Sequence, residues 1–261
     1  LSDMDIFKKL EPQVYSRYER KLTKEVKAGG IPNHIAIIMD GNRRYAKDSG
    51  MATNEAHKAG GDKLEEVLWW CMDLGIRYVT VFAFSTENFN RDMDEVGFLL
   101  DLFNTSLKDI SINEKIHRNH VNIRVIGDMS VLSDELKDTI DAVSRSTKGY
   151  SDHFFTIAIA YGSRQEIISA VRDIASKVKS GEMDVADIDE QAISQSLYTY
   201  DLPDPDLMLR TSGELRMSNF LLWQMAYSEL YFTDVFWPKF RYIDLLRAIR
   251  SFQSRTRRYG V

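Results

Sequence analysis

Apolar positions along the chain follow two rhythms. Short unbroken apolar runs alternate with longer stretches whose apolar residues recur every three or four positions. The first rhythm predicts strands covered on both faces, the second amphipathic helices. Ile35, Ala36, Ile37, Ile38 and Met39 form the first run, and further strands are expected over 77–84, 121–126, 154–160, 207–210 and 230–235. Helices are expected over 55–74, ended by Gly75, over 92–118, from Ser133 onward, from Ser163 onward, over 217–226 and over 243–255. Ser163 reads as an N-cap with Glu166 at the third helical position, a capping box. Residues 47–54 read as a polar, mobile connection, and 181–195 as an acidic exposed one with a short helix. The alternation predicts a single α/β domain built on a mostly parallel six-stranded sheet flanked by helices. Residues 1–30 are expected to form a helical extension before the α/β domain at 31–261, with Ile6, Leu10, Val14, Tyr15, Tyr18 and Leu22 along one side. That side is expected to pack on the domain, the alternative being a membrane surface or a substrate tail.

The polar residues that interrupt this pattern gather where strands end. Asp40 closes the first apolar run, followed by Gly41, Asn42, Arg43 and Arg44. In open α/β sheets ligands bind beyond the carboxyl ends of strands. A carboxylate, turn-forming residues with bare amides and two guanidiniums there suit a metal-bound polyanion, most simply a diphosphate. A strand-end loop with a solvated Arg pair is the plainer alternative. A haloacid-dehalogenase-type phosphatase would need a nucleophilic Asp two residues before Asp40, where Ile38 stands. The second strand ends in Ser85, Glu87, Asn88, Phe89 and Arg91, and the fifth in Arg210 to Glu214. Arg216, Ser218 and Asn219 fall at the start of the helix expected over 217–226, where amides and dipole favour an anion. Glu229 lies in an apolar and aromatic run. Singly, each reads as well as a surface residue or bridge; their shared place at strand ends favours a site.

Composition narrows the ligand. The 261 residues are 44% hydrophobic, enough for a large core, and carry a net charge of −5 from 34 basic and 39 acidic side chains. That balance argues against nucleic acid and makes the arginines a local feature suited to a small anion. The lone Cys71 allows no internal disulfide and fits a reducing compartment. No apolar run reaches the ~18 residues of a membrane span, and no signal-peptide core is seen. The expected location is cytoplasmic, or peripheral to a membrane.

HIAIIMDGNRRYA, then His57 in a helix, VFAFSTENFNR, and DLMLRTSGELRMSNFLLWQMAYSELYFTD occur in that order. Together they resemble the cis-prenyltransferases of the undecaprenyl and dehydrodolichyl diphosphate synthase type, from about Ile31 to the C-terminus. The resemblance implies an α/β sheet with a hydrophobic tunnel, working as a homodimer. It implies repeated addition of isopentenyl diphosphate to an allylic diphosphate, commonly farnesyl diphosphate, to make a Z-polyprenyl diphosphate, a carrier-lipid precursor. Asp40 then matches the aspartate that coordinates Mg²⁺ on the diphosphate, and Gly41, Asn42, Arg43 and Arg44 the phosphate-binding turn. Tyr45 stands where bacterial members have Trp, and His57 matches a diphosphate-site histidine. Ser85, Thr86, Glu87, Asn88, Phe89 and Arg91 fall in the second motif, in which the Asn is assigned as proton acceptor. A neutral amide is a poor base, so Asn88 and Ser85 are expected to position or relay the proton. Arg210, Arg216, Met217 and Ser218 fall in the isopentenyl diphosphate site. Glu229 matches a second metal ligand offered across the dimer. Arg258 and Gly260 match a C-terminal R-x-G that reaches the partner's site.

The tail would need an apolar wall, for which Phe98, Leu102 and Phe103 are candidates. Thr53 and Ala56 depart from the family's Arg and Gly before His57, with Lys58 as a replacement phosphate contact. Arg43, where bacterial members have Gly, tilts the reading toward eukaryotic or archaeal members. A non-catalytic partner subunit is the rival reading, yet such subunits typically lose the Asp and arginines kept here. No DDxxD pair of trans-type synthases is present.

Overall fold

The computed structural model describes residues 3–255, with side chains from Ser16 onward. Six strands, β1 (His34–Ile38), β2 (Tyr78–Phe82), β3 (Val121–Ile126), β4 (His153–Ala158), β5 (Leu207–Arg210) and β6 (Glu229–Phe232), form one sheet in the order β3-β4-β2-β1-β5-β6. Every pairing is parallel. The chain moves outward from β1 through β2 and later crosses to β5 on the other side of β1. The reversal falls at the carboxyl end of β1, the place where such sheets bind ligands.

All five β1 residues are buried, because β1 is covered on both faces. Ile35 and Ile37 join a large core with α1 (Asp3–Ala28), α3 (Thr53–Asp73), α4 (Met93–Ile112), α6 (Asp134–Thr147) and α9 (Tyr242–Gln253). Ala36 and Ile38 join a second core with Met208, Tyr161, Phe220, Leu221 and Met225. Each fully buried Ile or Leu contributes roughly 1.5–3 kcal/mol. Leu22 and Val26 anchor the end of α1 in the larger core, while Tyr18 is exposed. Residues 6, 10, 14 and 15 lie outside the described side chains. Among the described residues no helix is long and apolar enough to cross a membrane.

Four local expectations are corrected. Residues 47–54 are not simply a loop: α2 (Asn42–Ser49) begins directly after Asp40-Gly41 and ends on Gly50 in the left-handed region at φ 64°. The helix expected over 92–118 breaks at Asn113, whose Oδ1 accepts from the Lys115 amide at 2.9 Å and starts a separate α5 (Glu114–Arg118). Residues 217–226 are not helical: Ser218, Asn219 and Leu221 have φ of 48°, 64° and 42°. Their apolar side chains cover the second core from an irregular path. Ser163 and Glu166 form no capping box. Ser163 Oγ accepts from the Leu222 amide at 2.9 Å, and Glu166 accepts from Tyr161 OH at 2.5 Å and the Tyr198 amide at 2.8 Å. The N-cap of α7 (Ser163–Ser180) is Gly162. The acidic connection carries a short helix, α8 (Glu190–Gln195), as expected.

Candidate active site

Parallel register brings the polar strand ends together. Ile38 stands beside Phe82 on one side and Arg210 on the other, so Asp40 and the end of β5 emerge at one corner. Thr211, fully buried, brackets the Asp40 peptide: its Oγ1 accepts from the Asp40 amide at 2.9 Å and donates to the Asp40 carbonyl at 2.7 Å. Gly41 follows at φ 108°, and a Cβ there would meet Ser212 Oγ at 2.9 Å, so this turn requires glycine. No side chain caps α2, whose first amides belong to Asn42, Arg43 and Arg44. Free amides at a helix start favour an anion.

The donor side chains divide into two groups. Arg210 is 3% exposed; its Nη2 donates to Asp40 Oδ2 at 2.9 Å, and its Nη1 to Ser218 Oγ at 2.7 Å and to the Arg216 carbonyl. Its Nε is buried with no partner. Arg44 reaches Asp40 Oδ2 at 3.2 Å, Glu214 Oε1 at 3.1 Å and the Ser212 carbonyl at 2.9 Å. Across the opening, Glu95 on α4 gathers the second group: His57 Nε2 at 3.0 Å, Arg91 Nη1 at 3.1 Å and Arg43 Nε at 3.8 Å. Burial pushes the His57 pKa below its ordinary value, only partly opposed by Glu95. His57 is therefore a neutral hydrogen-bonding group at pH 7.

From this corner a cavity of about 1200 Å³ runs inward between the sheet, α3 and α4. Its mouth is lined by Asp40, Gly41, Asn42, Arg43, Arg44, His57, Lys58, Ser85, Glu87, Asn88, Arg91, Arg210, Arg216 and Ser218. Beyond the mouth its walls are largely apolar, with Leu68, Phe84, Leu99, Leu102, Phe103, Leu107, Ile110, Ile116, Phe155 and Ile157, and Asp62, Glu65, Thr105, Ser106, Asp109 and Asn113 are the polar lining there. Leu102 and Phe103 are wall residues as expected, whereas Phe98 is not. Asn88 Oδ1 accepts from the Ser85 amide at 3.1 Å, which ties the amide oxygen to the turn and suits positioning better than proton abstraction. Hydrogen bonds, one of them from Asn219, outweigh burial and hold the Glu87 pKa below the ordinary carboxylate value.

Several expected site residues lie elsewhere. Tyr45 sits under the Lys239 ammonium, 5.3 Å from ring centre, away from the cavity. Phe89 packs edge-on against Phe84 behind the wall. Thr86 and Met217 are also absent from the lining. Glu229 opens β6 in register with Leu207, at the opposite end of the strands from Asp40, and pairs with Arg255 at 2.6 Å. Arg258 and Gly260 lie outside the described residues. Glu95 and Thr211 were not singled out from sequence. Glu95 stands four residues after Arg91, a spacing that reads as an ordinary helical surface pair.

A family profile described as "Putative undecaprenyl diphosphate synthase" matches residues 38–260. The chain belongs to this family of cis-prenyltransferases. Among its relatives is a protein of Methanopyrus kandleri named "Tritrans,polycis-undecaprenyl-diphosphate synthase (geranylgeranyl-diphosphate specific)". It is 53% identical over 95% of this chain and 91% of its own length. Lavandulyl diphosphate synthase from Lavandula x intermedia, solved with dimethylallyl diphosphate, superposes with a TM-score of 0.83 at 37% identity, over 88% of this chain and 99% of that one. A "probable undecaprenyl diphosphate synthase" from Campylobacter jejuni superposes with a TM-score of 0.73 at 34% identity, over 89% of this chain and 100% of that one. The cis-prenyltransferase fold accounts for a cationic corner at the sheet's switch point opening onto an apolar cavity.

Proposed function

We propose that this cis-prenyltransferase adds isopentenyl diphosphate repeatedly to an allylic diphosphate and releases a Z-polyprenyl diphosphate, a carrier-lipid precursor. The observation that carries the reading is the Asp40–Arg210 pair at the mouth of an apolar cavity of about 1200 Å³. Relatives named geranylgeranyl-diphosphate specific support geranylgeranyl diphosphate, in place of farnesyl diphosphate, as the favoured primer. Cavity depth favours chain elongation over a single condensation.

Asp40 fits a magnesium ion. Magnesium takes one or two carboxylates and fills its other positions with substrate phosphates and water. Among the described residues no three acidic, His or Cys side chains converge on a metal site, so Asp40 would hold the ion together with substrate phosphates. The orphaned Arg210 Nε beside Asp40 marks a corner short of anions. When bound, Mg²⁺ supplies charge that favours departure of diphosphate. Arg44, Arg210 and the α2 amides stabilise the negative charge that grows on the leaving group. Arg216 and Ser218 hold isopentenyl diphosphate so that its double bond lies against the allylic carbon. Asn88 and Ser85 order the proton's exit, with the released diphosphate as acceptor. Glu229 of a second copy serves as a further metal ligand, since its own strand end is remote from Asp40.

The test is incorporation of labelled isopentenyl diphosphate by the purified chain, with and without Mg²⁺, using dimethylallyl, farnesyl and geranylgeranyl primers. Elongated cis products primed best by geranylgeranyl diphosphate support the reading. No incorporation by the chain alone, restored by a second subunit, would favour the partner-subunit role.

A further inference from the structure

The segment 216–221 has no regular structure of its own, yet it presents Arg216 and Ser218 to the cavity mouth. Its fixed position needs a cause. Three consecutive anchoring points come from one residue. The Asn219 carbonyl accepts from the Ser163 amide at 2.8 Å, and Asn219 Oδ1 accepts from the Arg164 amide at 2.9 Å. Both donors are first-turn amides of α7, a helix whose own N-cap, Gly162, supplies no side chain. Asn219 is therefore a cap delivered from 55 residues away in sequence. Its Nδ2 donates to Glu87 Oε1 and to Gln165 Oε1, each at 3.1 Å.

The conformation adds a second requirement. Asn219 has φ 64°, in the left-handed region that Asn adopts more readily than other residues with a side chain. The corner is also filled: a Cβ on Gly162 would lie 2.7 Å from Asn219 Nδ2 and 2.9 Å from Thr86 Oγ1. Asn219 thus ties three pieces together: the start of α7, the turn after β2 that carries Glu87, and the segment that carries Ser218.

We infer that Asn219 is a positioning residue that holds Arg216 and Ser218 in register with Glu87, and so sets affinity for isopentenyl diphosphate. The inference rests on the assignment of that substrate to Arg216 and Ser218. Asp at this position keeps the cap acceptor and the backbone conformation, but loses both Nδ2 donors and faces Glu87 with like charge. Gly keeps the backbone conformation and the carbonyl that accepts from the Ser163 amide, but none of the side-chain contacts.

The experiment is steady-state kinetics of the purified chain with each substrate varied in turn, for wild type, Asn219→Asp, Asn219→Gly and Gly162→Ala. The wild type must first incorporate isopentenyl diphosphate; its failure to do so strikes the assignment of function and not this inference. All three variants are expected to raise KM for isopentenyl diphosphate at least tenfold. KM for the allylic diphosphate should move less than twofold and kcat less than threefold. Amide exchange at Arg164 should accelerate in Asn219→Gly and stay protected in Asn219→Asp, with Ser163, bonded to the backbone carbonyl, as the internal reference. Unchanged KM for isopentenyl diphosphate in folded Asn219→Asp overturns the inference. So does an equal rise in both KM values, the signature of a general structural role.

Discussion

Arg210 Nη2 lies 2.9 Å from Asp40 Oδ2, one closing β5 and the other two residues past the end of the adjacent parallel β1, at the point where the strand order reverses. Arg210 is buried and Asp40 is partly open to the cavity. The arginine orients the carboxylate from behind and leaves its open side for ligand. A carboxylate set this way can face a metal-bound diphosphate without collapsing onto the guanidinium alone.

Removing that carboxylate tests the centre directly. Asp40→Ala is expected to lower turnover about 10³-fold or more, a magnitude in line with loss of a charge-stabilising group. The fold should survive, because the Asp40 peptide stays bracketed by Thr211 and is not held by its own side chain. Far-UV dichroism and turnover on the same sample settle it; a folded variant with ordinary turnover removes Asp40 from the mechanism.

Arg210→Lys separates charge from geometry. Lysine keeps the charge but cannot reach Asp40, Ser218 Oγ and the Arg216 carbonyl together. KM for isopentenyl diphosphate should rise about tenfold or more, as expected for loss of roughly 1.4 kcal/mol of hydrogen bonding to charged groups. Steady-state kinetics with that substrate varied gives the value, and a wild-type KM would show that charge alone suffices.

The apolar depth predicts product length. From Leu99 to Ile110 the helix α4 follows the cavity for about 16 Å, at 1.5 Å per residue. Leu102→Ala and Ile116→Ala, one on α4 and one on α5, each enlarge it. Both variants should shift the product ladder to longer chains. Chromatography of dephosphorylated products measures this, and an unaltered ladder in both variants excludes these side chains as length limits.

Stability should respond to acid through His34. Burial drives its pKa from 6.5 to about 4, against the opposing Pro203 carbonyl and Asp206. Its ring is bonded to the Pro203 carbonyl at 2.6 Å and Thr80 Oγ1 at 2.8 Å. The unfolded chain takes up the proton first, so stability falls as pH drops from 6.5 toward about 4 and no further below that. The loss attributable to His34 is up to about 3 kcal/mol. Urea midpoints for wild type and His34→Gln across that window give the test; parallel curves would assign the acid loss to other groups.

What could be read without the structure was whatever local pattern determines. The β1 run is continuous because both faces are covered, and Asp40 stands out because a charge ends it. The segment 217–226 misled because Phe220, Leu221, Met225 and their neighbours have helix-like spacing, while tertiary packing holds them on an irregular path. Glu166 was misread for a related reason. Its carboxylate serves Tyr161 and Tyr198, contacts set by the fold and not by neighbours in sequence. Glu95 stayed hidden because its partners His57 and Arg43 come from other helices. The second strand, by contrast, was found within a few residues, as alternation of β-branched and aromatic residues demands.

The break of the long helix at Asn113 has a broader consequence. It lets the separate α5 add Ile116 to the wall that α4 lines from Leu99 to Ile110, beyond the first turn of α4 that brings Glu95 to the anion-binding corner. Size and chemistry are thereby entrusted to different parts of the molecule. Substitutions around Ile110 and Ile116 can resize the hydrocarbon compartment while the charged corner is left as it stands, so lineages, or protein engineers, could diversify lipid length without relearning how to break a diphosphate bond.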